Sequence, residues 1–168
     1  MHQHISTQVL ADLVTVDEER RSLAMTVLMT PDLANFSGNV HGGNLLKLLD
    51  QVAFTCAGRF ARSYVVTLAV ERVVFREPIR VGELVTFEAS INYTTRSSME
   101  VGIRVTTEDI HTGTSRHTNS CYFTMVALDE NRRAVQIPQI TPRNATEERR
   151  WSEAVQRRAD RARDKVSH

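Results

Sequence analysis

The stretch ANFSGNVHGGNLLKLLDQVAF, residues 34–54, decides how this chain is read. A polar, glycine-rich approach runs directly into a leucine-rich segment. From Gly43 or Asn44 to about Phe60, apolar residues stand at positions 45, 46, 48, 49, 52, 53 and 56, the spacing of one long amphipathic helix. That helix carries a carboxylate, Asp50, among Leu46, Leu49 and Ala53. Burying an unpaired charge costs on the order of several kcal/mol, so Asp50 must be solvated, paired or used.

Strand signals lie on both sides of the helix. SLAMTVLM (22–29) reads as a first strand, ended by Pro31. VVTLAVERVVF (65–75), ELVTFEASINYT (83–94), MEVGIRVTTEDI (99–110) and SRHTNSCYFTMVAL (115–128) are rich in Val, Ile, Thr, Phe and Tyr and predict an antiparallel meander. Their joints suit turns: Pro78 and Gly82 in EPIRVGE, the polar TRSS, and HTG before Ser115. One helix against one antiparallel sheet of five or six strands makes an α+β domain. After Pro138 and Pro142, NATEERRWSEAVQRRADRARDK predicts an exposed helix, with Asn144 or Thr146 as cap and Glu147 and Glu148 at the positive end of its dipole. The expected organisation is a lead-in over 1–19, one domain over 20–132 and a basic helical extension over 133–168.

The 168 residues, 41% of them hydrophobic, suffice for one core of ordinary size. A formal charge of +1 hides an asymmetry. Residues 143–168 hold eight Arg or Lys against five acids, leaving the body slightly acidic. Such a tail is the commonplace of nucleic-acid binding, but it lacks aromatic interleaving beyond Trp151, and no nucleic-acid partner is expected. The N-terminal MHQHISTQVLADLVTVDEER has no apolar run of signal-peptide length, and no later segment approaches a membrane span, so a cytoplasmic protein is expected. Cys56 and Cys121 have neither zinc nor disulfide spacing and read as reduced packing residues. The six histidines show no metal-ligand spacing, and no metal or cofactor is expected.

Chemistry concentrates around His41-Gly42-Gly43. Glycines at a helix start let a ligand approach the backbone, where unpaired N–H groups and the dipole favour a phosphate or an oxyanion. Two glycines in a loop equally make a turn. Asp50 lies eight residues beyond Gly42, roughly 12 Å along the axis. One reacting carbonyl, which needs contacts of about 3 Å, cannot touch both in one chain. If both serve one site, two antiparallel helices across a twofold axis must supply them. Asn35 offers donor and acceptor without charge, which suits orienting a water or carbonyl, or simply a turn; Asn39 shares that ambiguity. His41 fits a general base or a capping residue. Arg104, Glu108, His117 and Asn119 read as solvent-facing or as lining a contact between dimers.

Asn35, Gly38, His41-Gly42-Gly43 and Asp50, followed by FREPIRVGELV (75–85) and SCYFTMVALDE (120–130), resemble the hotdog-fold acyl-CoA thioesterases, the hydrolase group of the bacterial YciA-type enzymes and the mammalian cytosolic long-chain acyl-CoA hydrolases. The likeness covers roughly residues 20–165. It implies a sheet wrapped around a central helix, hydrolysis of medium- to long-chain acyl-CoA, and a dimer of hotdogs assembled further into a homohexamer. It also implies that Asp50 of one protomer acts as base or nucleophile with Asn35 and the Gly42 N–H of the other, His41 and Gly43 lying beside the substrate. CoA phosphates call for Arg or hydroxyl groups, for which Arg96, Ser97 and Ser98 in the hairpin turn and the C-terminal arginines are candidates. Packing around Phe54, Leu49 and Phe36 is expected to set acyl-chain length. Two rivals are an acyl-CoA-binding regulatory module of the same shape and an enoyl-CoA hydratase. The hydratase needs Asp and His acting together, and here His41 sits in the glycine turn with no DxxxxxH arrangement.

Overall fold

More buried apolar residues alternate with more exposed ones along the first strand and most of the third in the computed structural model, which describes residues 20–166. The 1–19 lead-in lies outside the described residues. Strands β1 (Ser22–Leu28), β2 (Tyr64–Glu71), β3 (Leu84–Thr94), β4 (Ser98–Asp109) and β5 (Thr114–Leu128) form one antiparallel sheet in the order β1-β3-β4-β5-β2. Helix α1 (Gly42–Ala61) lies on one face and α2 (Ala145–Val166) follows the last strand. Val85, Phe87 and Ala89 of β3, Val101, Ile103 and Val105 of β4, and Cys121, Phe123 and Met125 of β5 bury their side chains under α1. Each fully buried aliphatic or aromatic side chain contributes about 1.5–3 kcal/mol.

The meander expected for the last four strands holds only for β3, β4 and β5. β2 pairs with β5 (Val65 opposite Ala127, Glu71 opposite Tyr122), not with β3. β1 already occupies the outer edge of β3, with Ser22 opposite Ser90 and Leu28 opposite Leu84, so β2 closes the other end of the sheet. The strand also stops at Glu71 rather than at Phe75. Arg72 turns the chain out at φ 58°, and residues 72–83 return to β3 as a crossover.

Helix α1 separates its leucines. Leu45, Leu49, Val52, Ala53, Cys56 and Phe60 face the sheet, whereas Leu46, Asp50 and Phe54 form an outward stripe at four-residue spacing. Asp50 therefore does not interrupt the buried face. It lies between Leu46 and Phe54, 41% and 46% exposed. Arg62, in left-handed conformation with its N–H on the Gly58 carbonyl at 2.8 Å, ends the helix.

Helix α2 is exposed along most of its length, as its charge predicts, but one stripe of it docks on the sheet. Asn144 caps it by accepting from Glu147 N–H at 3.0 Å, and Trp151 meets Tyr93 edge-on, ring centroids 4.6 Å apart. Arg157, 8% exposed, grips Glu100 of β4 through Nε (3.1 Å) and Nη2 (2.6 Å) and stacks over Tyr122 at 3.5 Å. Arg161 reaches Glu71 at 2.9 Å and Thr124 at 2.7 Å. These partners point away from α1, so α2 covers the opposite face of the sheet. Gly102 makes room there: a Cβ on it would stand 2.3 Å from Asn92 Nδ2, which donates to Glu100.

Candidate active site

The start of α1 is built by side chains that cap it. His41 accepts the Gly43 N–H on Nδ1 at 2.9 Å, and its carbonyl accepts from Asn44 and Leu45. Of the two open readings of His41, the structure shows capping. Gly43 N–H is thereby spent within the turn. Gly42 N–H finds no acceptor among the described residues. The ring of Phe75 lies over Gly42, 3.4 Å from where a Cβ would stand, so a side chain at 42 would press on it.

Asn35 holds the approach loop. Its Oδ1 accepts from Ser37 N–H (2.8 Å) and Asn39 N–H (3.2 Å), while Gly38, at φ 79°, returns its N–H to the Asn35 carbonyl at 3.1 Å. The turn role considered for Asn35 is thus real and occupies only the oxygen. Its Nδ2 makes no hydrogen bond among the described residues. Asn35 and Gly42 share a cavity of about 270 Å³ walled by Leu45, Phe75, Ile79 and Asn119. Asn39, the other asparagine of the approach loop, lines it too.

Asp50 is elsewhere. It borders a separate, wider depression with Gly43, Leu46, Lys47, Val70 and Val73. Thr67 of β2 donates its hydroxyl to Asp50 Oδ1 at 2.7 Å. Sequence reading missed Thr67, whose only trace is one hydroxyl inside an aliphatic run. Arg96, Ser97 and Ser98 form the β3–β4 turn beside Ala127, whose N–H bonds the Ser97 carbonyl, while Ser98 Oγ engages Thr95 Oγ1 at 2.6 Å. Ala127 lies eight residues along the strand from Asn119, about 26 Å, so one protomer does not bring the turn to the glycines. Leu49 is fully buried against the sheet, whereas Phe36 and Phe54 are exposed. Among the described residues no three His, Cys, Asp or Glu side chains converge as a metal site, and no helix is long and apolar enough to cross a membrane.

A long helix wrapped by a five-stranded antiparallel sheet, with its glycine-rich start open at one end, defines a hotdog-fold protein. The thioesterase superfamily model matches residues 37–114. Protein VdlD of Helicobacter pylori strain 26695 is 48% identical over 150 residues, 89% of this chain and 86% of its own. A crystal structure of an apo-hexameric acyl-CoA thioesterase is 32% identical, with 89% of this chain and 96% of that one covered at a TM-score of 0.85. The acyl-CoA hydrolase of Staphylococcus aureus, solved with butyryl coenzyme A, coenzyme A and coenzyme A disulfide, is 26% identical over 89% of this chain and 91% of its own, TM-score 0.81. The chain belongs to the thioesterase superfamily, among its acyl-CoA hydrolases. The S. aureus enzyme has also been solved with an asparagine, an aspartate and a threonine each replaced by alanine. Those three positions are spaced by 15 and 17 residues, as Asn35, Asp50 and Thr67 are here.

Proposed function

We propose that the protein hydrolyses medium- to long-chain fatty acyl-CoA to fatty acid and CoA, in the cytoplasm, at a site shared by two protomers. The observation that carries this reading is the division of the polar set. Asn35 and Gly42 face one cavity and Asp50 another, so the set is complete only where a second copy lays its Asp50 beside the first copy's Gly42. The exposed stripe of Leu46 and Phe54 continues onto Leu68 and Val70 of the edge strand β2, all 40–60% exposed, a surface that a second copy would cover. The equal spacing of the three replaced residues in the S. aureus enzyme supports the same assignment. A homohexamer is the proposed assembly, in keeping with the hexameric relative.

In this mechanism the thioester carbonyl accepts the Gly42 N–H at the positive helix end, a preorganised donor of a kind worth about 10²–10³ in rate. Thr67 fixes Oδ1 of Asp50, leaving Oδ2 to take a proton from water as the water oxygen bonds the carbonyl carbon. The C–S bond breaks and the electron pair leaves with the CoA thiolate, which then receives the proton. In the alternative route Asp50 attacks directly and water opens the resulting anhydride. Asn35 Nδ2 holds the water or the acyl oxygen. Thiolate is a good leaving group, so neither route calls for a metal or cofactor. His41 and Gly43 shape the turn on which the thioester rests, and the exposed Arg96, with Ser97 and Ser98, meets CoA phosphates from a neighbouring protomer.

Thiol release from a series running from acetyl- to stearoyl-CoA tests the proposal. Burial pushes the Cys56 and Cys121 thiols up to about 12, so the protein's own sulfurs stay silent in a thiol assay. Wild type should turn over the longer chains, with activity falling about 10²–10⁴-fold in Asp50→Ala and in Asn35→Ala. Turnover that survives Asp50→Ala would contradict the mechanism. Acyl-CoA binding without turnover in wild type would favour the regulatory-module reading.

A further inference from the structure

The crossover between β2 and β3 walls the cavity of Gly42 and Asn35 with Phe75, Arg76, Glu77 and Pro78. Arg116 fixes it in place, taking Glu77 at 3.0 Å, Glu83 at 2.7 and 3.0 Å, and the Pro78 carbonyl at 3.0 Å. Glu77 is thereby neutralised. Arg76 is exposed and has no hydrogen-bond or ion-pair partner among the described residues, which leaves it the one uncompensated charge on the described cavity wall. The ring of Phe75 lies over Gly42 and is 47% exposed, so an open apolar face stands beside the Gly42 N–H.

A thioester held at Gly42 carries two arms of opposite character. The acyl chain is apolar throughout and suits the depression around Asp50, walled by Leu46, Val70, Val73 and Phe123. The pantetheine arm of CoA is peptide-like: two methylenes follow the sulfur, then an amide whose carbonyl needs a donor wherever it leaves water. That carbonyl stands roughly 5 Å beyond the sulfur, about one and a half residue lengths of chain. Phe75, at the Gly42 turn, and its neighbour Arg76 offer an apolar ring and then a guanidinium, matching the order of methylenes and carbonyl. A guanidinium only donates, which fits a carbonyl oxygen. The first CoA phosphate lies three residue-like units from the sulfur, roughly 12–15 Å, too far for a side chain on the wall of the cavity that receives the thioester.

We infer that Arg76 is a substrate-contacting residue that donates to the first amide carbonyl of the pantetheine arm, with the methylenes next to the sulfur lying against the Phe75 ring. The crossover is then the element that tells a CoA-type thioester from a plain alkyl one. This assignment rests on the acyl-CoA hydrolase reading and adds to it a residue that reads the carrier arm rather than the acyl group.

Arg76→Met keeps an unbranched side chain and removes its donors, and its thermal unfolding should match wild type because Arg76 holds nothing else in the described fold. Three thioesters of one acyl group are compared. One is formed with CoA, one with N-acetylcysteamine, which keeps the first amide alone, and one with pentanethiol, which replaces that amide by methylenes. The variant should raise KM about tenfold for the first two with kcat nearly unchanged, and leave the third as in wild type. An effect on the CoA ester alone would assign Arg76 to a phosphate or a later part of the arm. Equal effects on all three would make its role structural, and no effect on any would leave it without a contact. Each of these results overturns the inference while the hydrolase reading stands. If wild type turns over no acyl-CoA, the hydrolase reading fails, and calorimetric binding of the hexyl thioethers of CoA and of N-acetylcysteamine decides the contact. Weakening of both by about tenfold in Arg76→Met upholds it; equal binding by variant and wild type, or no binding, overturns it.

Discussion

Thr67 has a single hydroxyl proton and gives it to Asp50 Oδ1 at 2.7 Å. One carboxylate oxygen is thereby fixed and the other left to act. Thr67→Val keeps shape and removes the donor, so Asp50 gains rotational freedom. The expected result is a kcat about tenfold to a hundredfold lower with KM nearly unchanged, measured by steady-state thiol release. An unchanged kcat would show that Asp50 is oriented by other means. At this scale the sequence was partly readable. A glycine turn leading into a helix with one carboxylate is local chemistry, so Asn35, Gly42 and Asp50 could be singled out by type and spacing. Thr67 could not, because its role exists only once β2 lies beside α1. Asn119 could be named but not placed, because a bulge in β5 keeps it inside and breaks the period of two by which strands are read.

The crossover between β2 and β3 carries one wall of the cavity, and a single arginine secures it. Arg116 of β5 holds Glu83 through two hydrogen bonds of 2.7 and 3.0 Å, reaches Glu77 at 3.0 Å and bonds the Pro78 carbonyl at 3.0 Å. The Arg116 hydrogen bonds, foremost, hold the Glu83 carboxyl below the ordinary glutamate range. A carboxyl depressed on folding adds stability above its unfolded pKa of about 4.3 and loses it as the pH falls through the lowered folded value. Glu83→Gln should therefore cost about 1–2 kcal/mol at neutral pH, with the gap to wild type closing at acid pH. Denaturant midpoints from neutral to acid pH would show this, and a gap independent of pH would contradict it. Element by element, the helix and all five strands were legible in apolar period and turn residues. Strand partnership was not: EPIRVGE looks like a turn, and only the capture of β3's outer edge by β1 makes it a crossover. The docked stripe of the C-terminal helix was hidden for a related reason, since the partners of Arg157 and Arg161 lie far away in sequence, on Glu100, Glu71 and Thr124.

At the scale of the whole molecule, a single protomer displays half of a site twice. Asn35 and Gly42 open on one side of α1 and Asp50 on another, with Leu46, Phe54, Leu68 and Val70 exposed around the aspartate. A twofold pairing would cover that apolar surface and complete two equivalent sites at once. The measurement that reaches this claim most directly is complementation between two inactive variants. Asp50→Ala and Asn35→Ala proteins are mixed in equal amounts, allowed to exchange subunits, and assayed for thiol release. Each mixed dimer then regains one intact site, made from Asn35 and Gly42 of one protomer and Asp50 of the other. Random exchange predicts recovery to about a quarter of wild-type activity. Activity no greater than the average of the two variants, with exchange verified, would contradict the shared site.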